Sequence, residues 1–207
     1  MRTKLTIALA ALLFSSASMA APAPTAKVGE AAPNFKTIDA ISGKEFELEK
    51  LKGKPVVLEW NNFGCPFVKK HYGSGNMQAV QKAAEADGAA WVSINSSAEG
   101  KEGFLKDAEA VKAALTEHKA SPTAYLLDHD GQIGRAYGAT ATPHMFVIDK
   151  DGVLAYAGAI DDKPTPNPDD VKTATNYVTT ALAALKAGKK HEPAQTKAYG
   201  CGVKYAF

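Results

Sequence analysis

The stretch that decides the fold is GKPVVLEWNNFGCP, residues 53–66. Its first half, PVVLEW (55–60), is a nearly continuous apolar and β-branched run, which is typical of a β-strand covered on both faces. Its second half ends in Gly-Cys-Pro, and proline is favoured at the first position of an α-helix. The stretch therefore predicts a buried strand, a turn that carries Cys65, and a helix that begins at Pro66.

On both sides of this stretch, strand-like and helix-like segments alternate. Two short alternating runs around Ser42-Gly43 predict a small hairpin before it. The order of the later segments indicates an α/β layer fold whose central sheet has a parallel part and an antiparallel edge. These segments are a helix over 76–88 capped by Asn76, a strand over 89–95, helical pieces over 103–119, a strand over 124–128, a hairpin over 144–160 and a final helix over 171–188.

The first 20 residues have the features of a secretory signal peptide. Arg2 and Lys4 give a basic start. The apolar run from Leu5 to Phe14 is too short to span a membrane, and small residues precede a cut after Ala20. Cleavage there leaves 187 residues and removes two positive charges, which lowers the formal net charge from +2 to 0. We therefore expect an exported protein, located in a bacterial periplasm, where disulfides form and persist.

The remaining chain is expected to consist of a Pro/Ala linker (21–27), one domain (28–188) and a polar tail (189–207) that carries Cys201. A domain of this length builds a core without staples, and two cysteines do not form a disulfide scaffold. A neutral chain without a basic run offers no footprint for nucleic acid. No apolar run after the leader is long enough to span a bilayer, and no cofactor is predicted.

The strand before Gly64-Cys65-Pro66 and the segment ATATPHMFVIDKDG (139–152) resemble the thioredoxin superfamily. Within it they are similar to the redoxin group, which includes alkyl hydroperoxide reductase/thiol-specific antioxidant proteins and exported thiol–disulfide oxidoreductases. The resemblance covers roughly residues 28–188. It implies a thioredoxin-like fold with an N-terminal strand extension, and antioxidant or thiol–disulfide chemistry at Cys65. The implied partners are protein or small-molecule thiols and disulfides, and peroxides.

The chain departs from both complete sites of that superfamily. A thioredoxin-type site is Cys-x-x-Cys, and Val68 stands in the place of the second cysteine. A peroxiredoxin site is Pro-x-x-x-Thr-x-x-Cys with a distant arginine. The chain has Asn62 and Leu58 at the Thr and Pro positions, and the arginine would fall near Pro143. The resemblance therefore implies a peroxiredoxin-like branch with one site cysteine.

Cys65 is predicted to be a reactive thiol. At a helix N-terminus, unpaired N–H groups and the helix dipole stabilise a thiolate, and such positions lower the pKa of a cysteine into a range of roughly 3.5–7.5. Lys69, Lys70 and His71 add positive potential in this hypothesis, although single lysines are typical of a solvated helix face. The alternative is a buried, inert cysteine.

Thr142-Pro143 matches the cis-proline loop of the superfamily. The resemblance implies a cis peptide bond beside Cys65, with the backbone before the proline pairing with an extended thiol partner. The alternative is an ordinary trans turn that enters a strand.

Glu59 is the exception within the apolar strand. A buried carboxylate is costly unless it is paired or neutral, and thioredoxins carry a buried acid at this place behind the site. Glu59 is therefore a candidate proton-transfer group. The alternative is an edge position where Glu59 faces water or a lysine.

Cys201 is the other cysteine of the chain. An oxidised Cys65 needs a second thiol to complete a cycle, and Val68 removes the usual local one. Gly200 and Gly202 flank Cys201 and permit a close backbone approach. We therefore predict an intramolecular Cys65–Cys201 disulfide in the oxidised protein. The alternatives are a free tail thiol and a disulfide to another chain.

Two functions remain open at this point. The first is a thiol-dependent oxidoreductase that uses Cys65, and the second is a non-catalytic thioredoxin-fold binding module with a structural disulfide or idle thiols. His71, His144 and Cys201 are also imaginable ligands of a soft copper site. The Cys-x-x-x-Cys pattern typical of thioredoxin-fold copper chaperones is missing, however, and no metal is predicted.

Overall fold

The computed structural model describes residues 26–206, in which short strands alternate with helices. The predicted signal peptide (1–20) and most of the linker lie outside the described residues. The strands are β1 (Lys36–Ile38), β2 (Glu45–Glu47), β3 (Val56–Trp60), β4 (Ala90–Asn95), β5 (Ala124–Leu127), β6 (Ala141–Thr142), β7 (His144–Ile148), β8 (Leu154–Gly158) and β9 (Cys201–Gly202).

A five-stranded mixed sheet forms the centre of the domain, in the order β5-β4-β3-β7-β8. β3, β4 and β5 run parallel, whereas β7 is antiparallel to β3 and β8 is antiparallel to β7. β1 and β2 form the predicted N-terminal hairpin. The predicted α/β class with a central mixed sheet is therefore confirmed, and β3, which leads to Cys65, is its middle strand.

The helices cover both faces of this sheet. They are α1 (Pro66–Gly73), α2 (Asn76–Ala86), α3 (Ala108–His118), α4 (Gln132–Tyr137) and α5 (Tyr177–Lys186), with 3-10 turns at Leu48–Leu51 and Pro168–Lys172. Within residues 26–206, no helix has the length and apolar character needed to cross a membrane.

Three helix boundaries differ from the sequence prediction, and hydrogen bonds of the cap side chain set two of them. Asn76 is the first residue of α2 rather than its cap, and Gly75 occupies the cap position. α3 begins only at Ala108, because the Asp107 side chain accepts the N–H groups of the first turn. α5 begins at Tyr177 for the same reason, with Asn176 as its cap. The short α4, β6 and β9 were not predicted.

The period-two alternation of β3 divides the core into two layers. Val57 faces one layer with α1, α2, α3 and α5, and this layer contains Cys65. Val56, Leu58 and Trp60 face the other layer, which contains residues of α4 and the 3-10 turn at Leu48–Leu51. Every residue of β3 is buried. The turn after β3, which carries Cys65, therefore begins at a strand that is packed on both faces.

The chain after α5 does not project from the domain. Its Thr196 side chain accepts the N–H of Ala159, and its backbone N–H donates to Ala157. Further on, β9 pairs antiparallel with β6, directly before Pro143. The tail thus returns to the end of the sheet from which Cys65 emerges.

Candidate functional site: two thiols beside a cis-proline

Cys65 is the N-cap residue of α1. Its backbone is extended (φ −68°, ψ 127°), and Pro66 occupies the first helical turn. The turn is fixed by two backbone hydrogen bonds, from Cys65 N–H to Asn62 O (3.0 Å) and from Lys69 N–H to Cys65 O (2.9 Å). The strand, the turn and the helix start are therefore as the sequence predicts. The Cys65 residue is 0% exposed.

The surroundings of Cys65 favour its thiolate. Burial on its own raises the pKa of the Cys65 thiol, but the polar groups around it, namely the Cys201 thiol, the backbone N–H of Val68 and the Thr142 side chain, more than offset this, so the pKa lies below its ordinary value. The Val68 N–H belongs to the unpaired groups of the first turn of α1. The tail contributes to this shift through Cys201, which the sequence alone does not show, and the reactivity of Cys65 stays a prediction.

The cis-proline loop lies directly against Cys65. The Thr142–Pro143 peptide bond is cis, as the resemblance implies. In its protonated form, Cys65 Sγ donates to the carbonyl oxygen of Thr142 at 3.1 Å. Thr142 is buried and 77 residues distant from Cys65 in the chain. The fold therefore brings these three predicted residues together.

Cys201 pairs with the same loop from the other side. In the β6–β9 ladder, Cys201 lies opposite Thr142 and Gly202 lies opposite Ala141. Gly200 has a φ of +135°, and a Cβ at this position would lie 2.7 Å from the carbonyl carbon of Thr142 and closer still to its oxygen. The predicted close approach thus depends on Gly200, whereas a Cβ at Gly202 would meet open space.

The two thiols differ in their tendency to ionise. Burial, the hydrogen bond to Cys65 and the negative charge of that thiolate raise the pKa of Cys201 to about 12. Of the two thiols, Cys65 is therefore the one that loses its proton more readily. Both are free thiols in this structure, and the disulfide between them in the oxidised protein stays a prediction.

Glu59 is fully buried in the middle strand, so the alternative of an edge position is wrong. Its two carboxylate oxygens accept hydrogen bonds from four groups at distances of 2.8–3.0 Å. The donors are Asn61 Nδ2, the Tyr72 hydroxyl, Trp91 Nε1 and Ser93 Oγ. Tyr72 also accepts from Gln81, and Asn61 accepts from the Tyr125 hydroxyl. Burial and the charge of Glu59 raise the pKa of Tyr72, which therefore remains a donor. This network lies under the end of α1 that is remote from Cys65, and the proton-transfer role of Glu59 stays a prediction.

The alternative of a solvated helix face holds for Lys69 and is wrong for Lys70. Lys69 is exposed, but the side chain of Lys70 is 0% exposed and pairs with Asp161 at 3.4 Å. Burial lowers the pKa of His71 to about 4, although Asp161 opposes this shift. His71 is therefore neutral near pH 7 and adds no positive charge at Cys65. Asp161, the partner of Lys70, and Tyr199, a partner of His71, lie 91 and 128 residues onward, where no local pattern reveals them.

A metal site is not formed by the imagined ligands in the described part of the chain. Residues 26–206 contain no group of three or more His, Cys, Asp or Glu side chains arranged to hold a metal ion. His144 stacks on Phe146, and its Nδ1 accepts the backbone N–H of Thr140 at 3.3 Å.

Known proteins with similar sequences include thiol–disulfide oxidoreductases. The Redoxin family model matches residues 27–177. Two curated proteins, both called thiol-disulfide oxidoreductase ResA, come from Bacillus thuringiensis subsp. konkukian and Bacillus cereus. Each is 31% identical to this chain over 131 residues, which is 61% of this chain and 66% of the relative.

Solved structures share the same architecture. An uncharacterized conserved protein from Geobacillus kaustophilus superposes with a TM-score of 0.74 at 27% identity, covering 87% of this chain and 93% of that one. A hypothetical protein from Sinorhizobium meliloti 1021 gives 0.69 at 25% identity, with 87% and 95% covered. The thioredoxin domain of a thiol-disulfide oxidoreductase from Bacteroides vulgatus, at 21% identity and a TM-score of 0.51, covers 71% of this chain and 96% of that domain and shows the shared fold.

Proposed function

Because the chain belongs to the redoxin family, we propose that it is a thiol–disulfide oxidoreductase in which Cys65 is the reacting thiol and Cys201 is its internal partner. The observation that supports this most strongly is that one loop holds both cysteines: Cys65, at a helix N-terminus, contacts the Thr142 carbonyl, and Cys201 pairs opposite Thr142. The names of the two ResA relatives support the same reaction class.

The exchange that these residues perform is a two-step displacement. The Cys65 thiolate attacks an external disulfide RSSR, a bond forms between Cys65 and one sulfur, and RS⁻ leaves. Cys201 then loses its proton to RS⁻ or water and attacks the Cys65 sulfur, which releases the second RS⁻. One RSSR and two protein thiols thus give one protein disulfide and two RSH.

The reverse reaction also follows from the asymmetry of the pair. An external thiolate RS⁻ attacks the Cys65 sulfur of the protein disulfide, and Cys201 leaves and takes up a proton. A second RS⁻ then attacks the external sulfur of the mixed disulfide, which releases RSSR and Cys65 as a thiolate. A thiol of low pKa is the better leaving group, and Cys65 is the member of the pair whose pKa is lowered. The proposed partners are therefore both thiols and disulfides of proteins or small molecules.

Thr142 and Pro143 are proposed to shape the approach to Cys65. The carbonyl oxygen of Thr142 accepts from the Cys65 thiol, and its side chain stabilises the Cys65 thiolate. A proton-transfer role for Glu59 would run through Tyr72 and α1, since the donors that contact its carboxylate are Asn61, Tyr72, Trp91 and Ser93.

Peroxide is a second proposed oxidant of the same thiol. The Cys65 thiolate and ROOH, with one proton, would give Cys65–SOH and ROH, and Cys201 would then form the disulfide and release water. The described residues contain one arginine, Arg135, whose side chain donates to the tail carbonyl of Ala206 at 2.5 Å and lies over the Tyr205 ring. Disulfides are therefore the favoured oxidant in this proposal, and peroxide is the slower one.

Export is part of the proposal because disulfides, the substrates of this exchange, form and persist in oxidising compartments. The basic, apolar and small-residue segments of residues 1–20 support it. A binding module with idle thiols remains the alternative, and one observation favours it: Cys65 is 0% exposed, so a partner reaches it only when the surrounding chain moves.

A stoichiometric exchange experiment distinguishes the two functions. The reduced protein, without residues 1–20, is mixed with the glutathione mixed disulfide of a short cysteine peptide, and the released thiols are counted by chromatography. The wild type is expected to release one peptide thiol and one glutathione per chain. The Cys201→Ser variant should stop at a mixed disulfide on Cys65. The Cys65→Ser variant should release thiols far more slowly than the wild type. Equal release by Cys65→Ser and the wild type, or no release by either, would contradict the proposal.

A further inference from the structure

A buried polar cluster ties the tail to the helix that carries Cys65. We propose that Tyr199, within this cluster of Lys70, His71, Asp161 and Tyr199 (the Tyr199 cluster), is a positioning residue that holds the Cys201 thiol against Cys65. The inference rests on the proposed function and names the residue that regulates its second step, the attack of Cys201 on oxidised Cys65.

The hydroxyl group of Tyr199 is the centre of the cluster. It donates to Asp161 and lies 3.2 Å from His71 Nε2 and 3.4 Å from Lys70 Nζ. Lys70 Nζ additionally donates to Asp161 Oδ2 at 3.4 Å and to the carbonyl oxygen of Lys163 at 2.6 Å. The side chains of Lys70, His71 and Asp161 are 0–1% exposed. The tail is therefore attached by hydrogen bonds to groups that water does not reach.

One arrangement of protons satisfies every contact of His71 and Tyr199. Asn76 Nδ2 donates to His71 Nδ1 at 2.8 Å, so the imidazole proton is placed on Nε2, which donates to the Tyr199 oxygen. The Tyr199 proton then points to Asp161. Burial and the neighbouring Asp161 carboxylate raise the pKa of Tyr199, so the hydroxyl keeps this proton. Within the cluster, one ammonium faces one carboxylate.

Short segments of chain connect the Tyr199 cluster to both thiols. Cys65 caps α1, and Lys70 and His71 lie on the same helix, about 8 Å further along its axis. Tyr199 precedes Cys201 by two residues, which is about 7 Å of extended chain. The same helix thus fixes one sulfur at its end and, through Tyr199, the strand that carries the other. The Tyr199 ring also lies 5.8 Å from the Phe67 ring in the first turn of α1.

The tail is anchored on the other side of Cys201 by different contacts. Ala98 N–H donates to the carbonyl oxygen of Lys204 at 2.8 Å, and the Tyr205 hydroxyl donates to the carbonyl oxygen of Ala139 at 2.8 Å. These contacts reach the β4 and α4 ends of the domain, whereas the Tyr199 cluster reaches α1. Loosening Tyr199 should therefore free the Cys201 thiol from Cys65 while the end of the tail stays docked.

The consequence for the reaction is a change in effective concentration. When Cys65 carries an external sulfur, Cys201 must displace it, and the rate and equilibrium of that step rise with the local concentration of Cys201 at Cys65. Tyr199→Phe keeps the aromatic ring and removes the hydroxyl group that hydrogen-bonds to Asp161, His71 and Lys70. A hydrogen bond to a charged group contributes enough for about a tenfold change in an equilibrium constant.

The test is the redox equilibrium of full-length mature protein with reduced and oxidised glutathione. We expect the equilibrium constant for Cys65–Cys201 disulfide formation to fall about tenfold in Tyr199→Phe, with native circular dichroism retained. The matched control is Tyr177→Phe, which removes a tyrosine hydroxyl on α5 outside the cluster and should stay within about twofold of wild type. Equal constants for Tyr199→Phe and wild type would overturn the inference and leave the proposed function standing. A wild type without an intramolecular disulfide would instead refute the proposed function.

A second measurement does not depend on the disulfide. In a Cys201→Ser background, alkylation of Cys65 by iodoacetamide reports how often the tail moves away from it. Adding Tyr199→Phe should accelerate alkylation several-fold, because Tyr199 and residue 201 pack on the layer that contains Cys65. Adding Tyr177→Phe should not. An unchanged rate with Tyr199→Phe would show that the cluster does not hold the tail over the site.

Discussion

Gly200 passes the carbonyl group of Thr142 so closely that a side chain at position 200 would collide with it. A Cβ there would lie 2.7 Å from the Thr142 carbonyl carbon, and Gly200 has a φ of +135°. Thr142 precedes the cis-proline and accepts from the Cys65 thiol, and Gly200 precedes Cys201. The backbone of the tail is thus fitted to the loop that holds the other cysteine.

Replacing Gly200 with alanine should therefore detach β9. We expect Gly200→Ala to lower the free energy of unfolding by about 2 kcal/mol, because alanine disfavours this backbone conformation and meets the Thr142 carbonyl. The matched control is Gly202→Ala, whose added Cβ would meet open space and should change stability by no more than about 0.5 kcal/mol. Urea unfolding of both variants measures the difference, and similar losses would contradict the geometry at Gly200.

The Cys201 thiol should control the ionisation of Cys65. In the reduced protein, Cys201 donates to Cys65 and helps to hold the Cys65 pKa below its ordinary value. Removal of this donor by Cys201→Ala should raise the Cys65 pKa, because burial then acts against the thiolate with fewer hydrogen bonds to oppose it. Alkylation rates of Cys65 between pH 5 and 10 measure both pKa values. A Cys201→Ala variant with a pKa equal to or below that of wild type would contradict this arrangement.

Two buried histidines should make the protein less stable in mild acid. Burial lowers the pKa of both His71 and His144 to about 4. Each therefore binds a proton less readily in the folded than in the unfolded chain, so its contribution is fully present above about pH 6.5 and is lost as the pH falls towards 4. From pH 7 to pH 5 we expect a loss of about 2 kcal/mol for each histidine.

Urea unfolding at these two pH values tests the effect, and His144→Gln should remove about half of it. Glutamine retains a polar side chain near the Thr140 N–H, which now donates to His144 Nδ1. Stability that is constant from pH 7 to pH 5 in the wild type would show that these imidazoles are not protected from protons.

The Glu59 network should be a large contributor to stability. Glu59→Gln brings an NH₂ group into a site where the four partners of the carboxylate are all donors. At least one buried donor then loses its acceptor, so we expect a loss of about 3 kcal/mol. Tyr72→Phe removes one donor to the carboxylate and leaves the Gln81 amide without its acceptor, and it should cost about 2 kcal/mol. Equal and small losses in thermal or urea unfolding would contradict the network.

The sequence was sufficient for those features that depend on neighbouring residues. PVVLEW predicts β3, Gly-Cys-Pro predicts the start of α1, and Asp151-Gly152 predicts the turn between β7 and β8, because strand periodicity and turn chemistry are local. The two cysteines of the candidate site were found because the chain has no others.

Features that depend on distant partners were beyond local patterns. Lys70 looks like an ordinary surface lysine until Asp161 and Tyr199 are placed beside it, 91 and 129 residues later. The same holds for β9, whose two residues have no strand pattern and pair only because the tail returns to Thr142. Taken alone, polar side chains such as Tyr199, Asp161 and Lys70 predict solvent exposure. In the folded chain they pair with one another, and this pairing accompanies their burial.

The most direct test of the account is non-reducing peptide mapping of oxidised, monomeric protein. The mature chain is oxidised with glutathione disulfide, free thiols are blocked in acid, and the proteolytic peptides are analysed by mass spectrometry. The account predicts one linked species that joins the peptide of Cys65 to the peptide of Cys201, and its disappearance after reduction. Recovery of the Cys201 peptide with a blocked free thiol, while Cys65 is oxidised, would contradict the central claim that the two cysteines act as a pair.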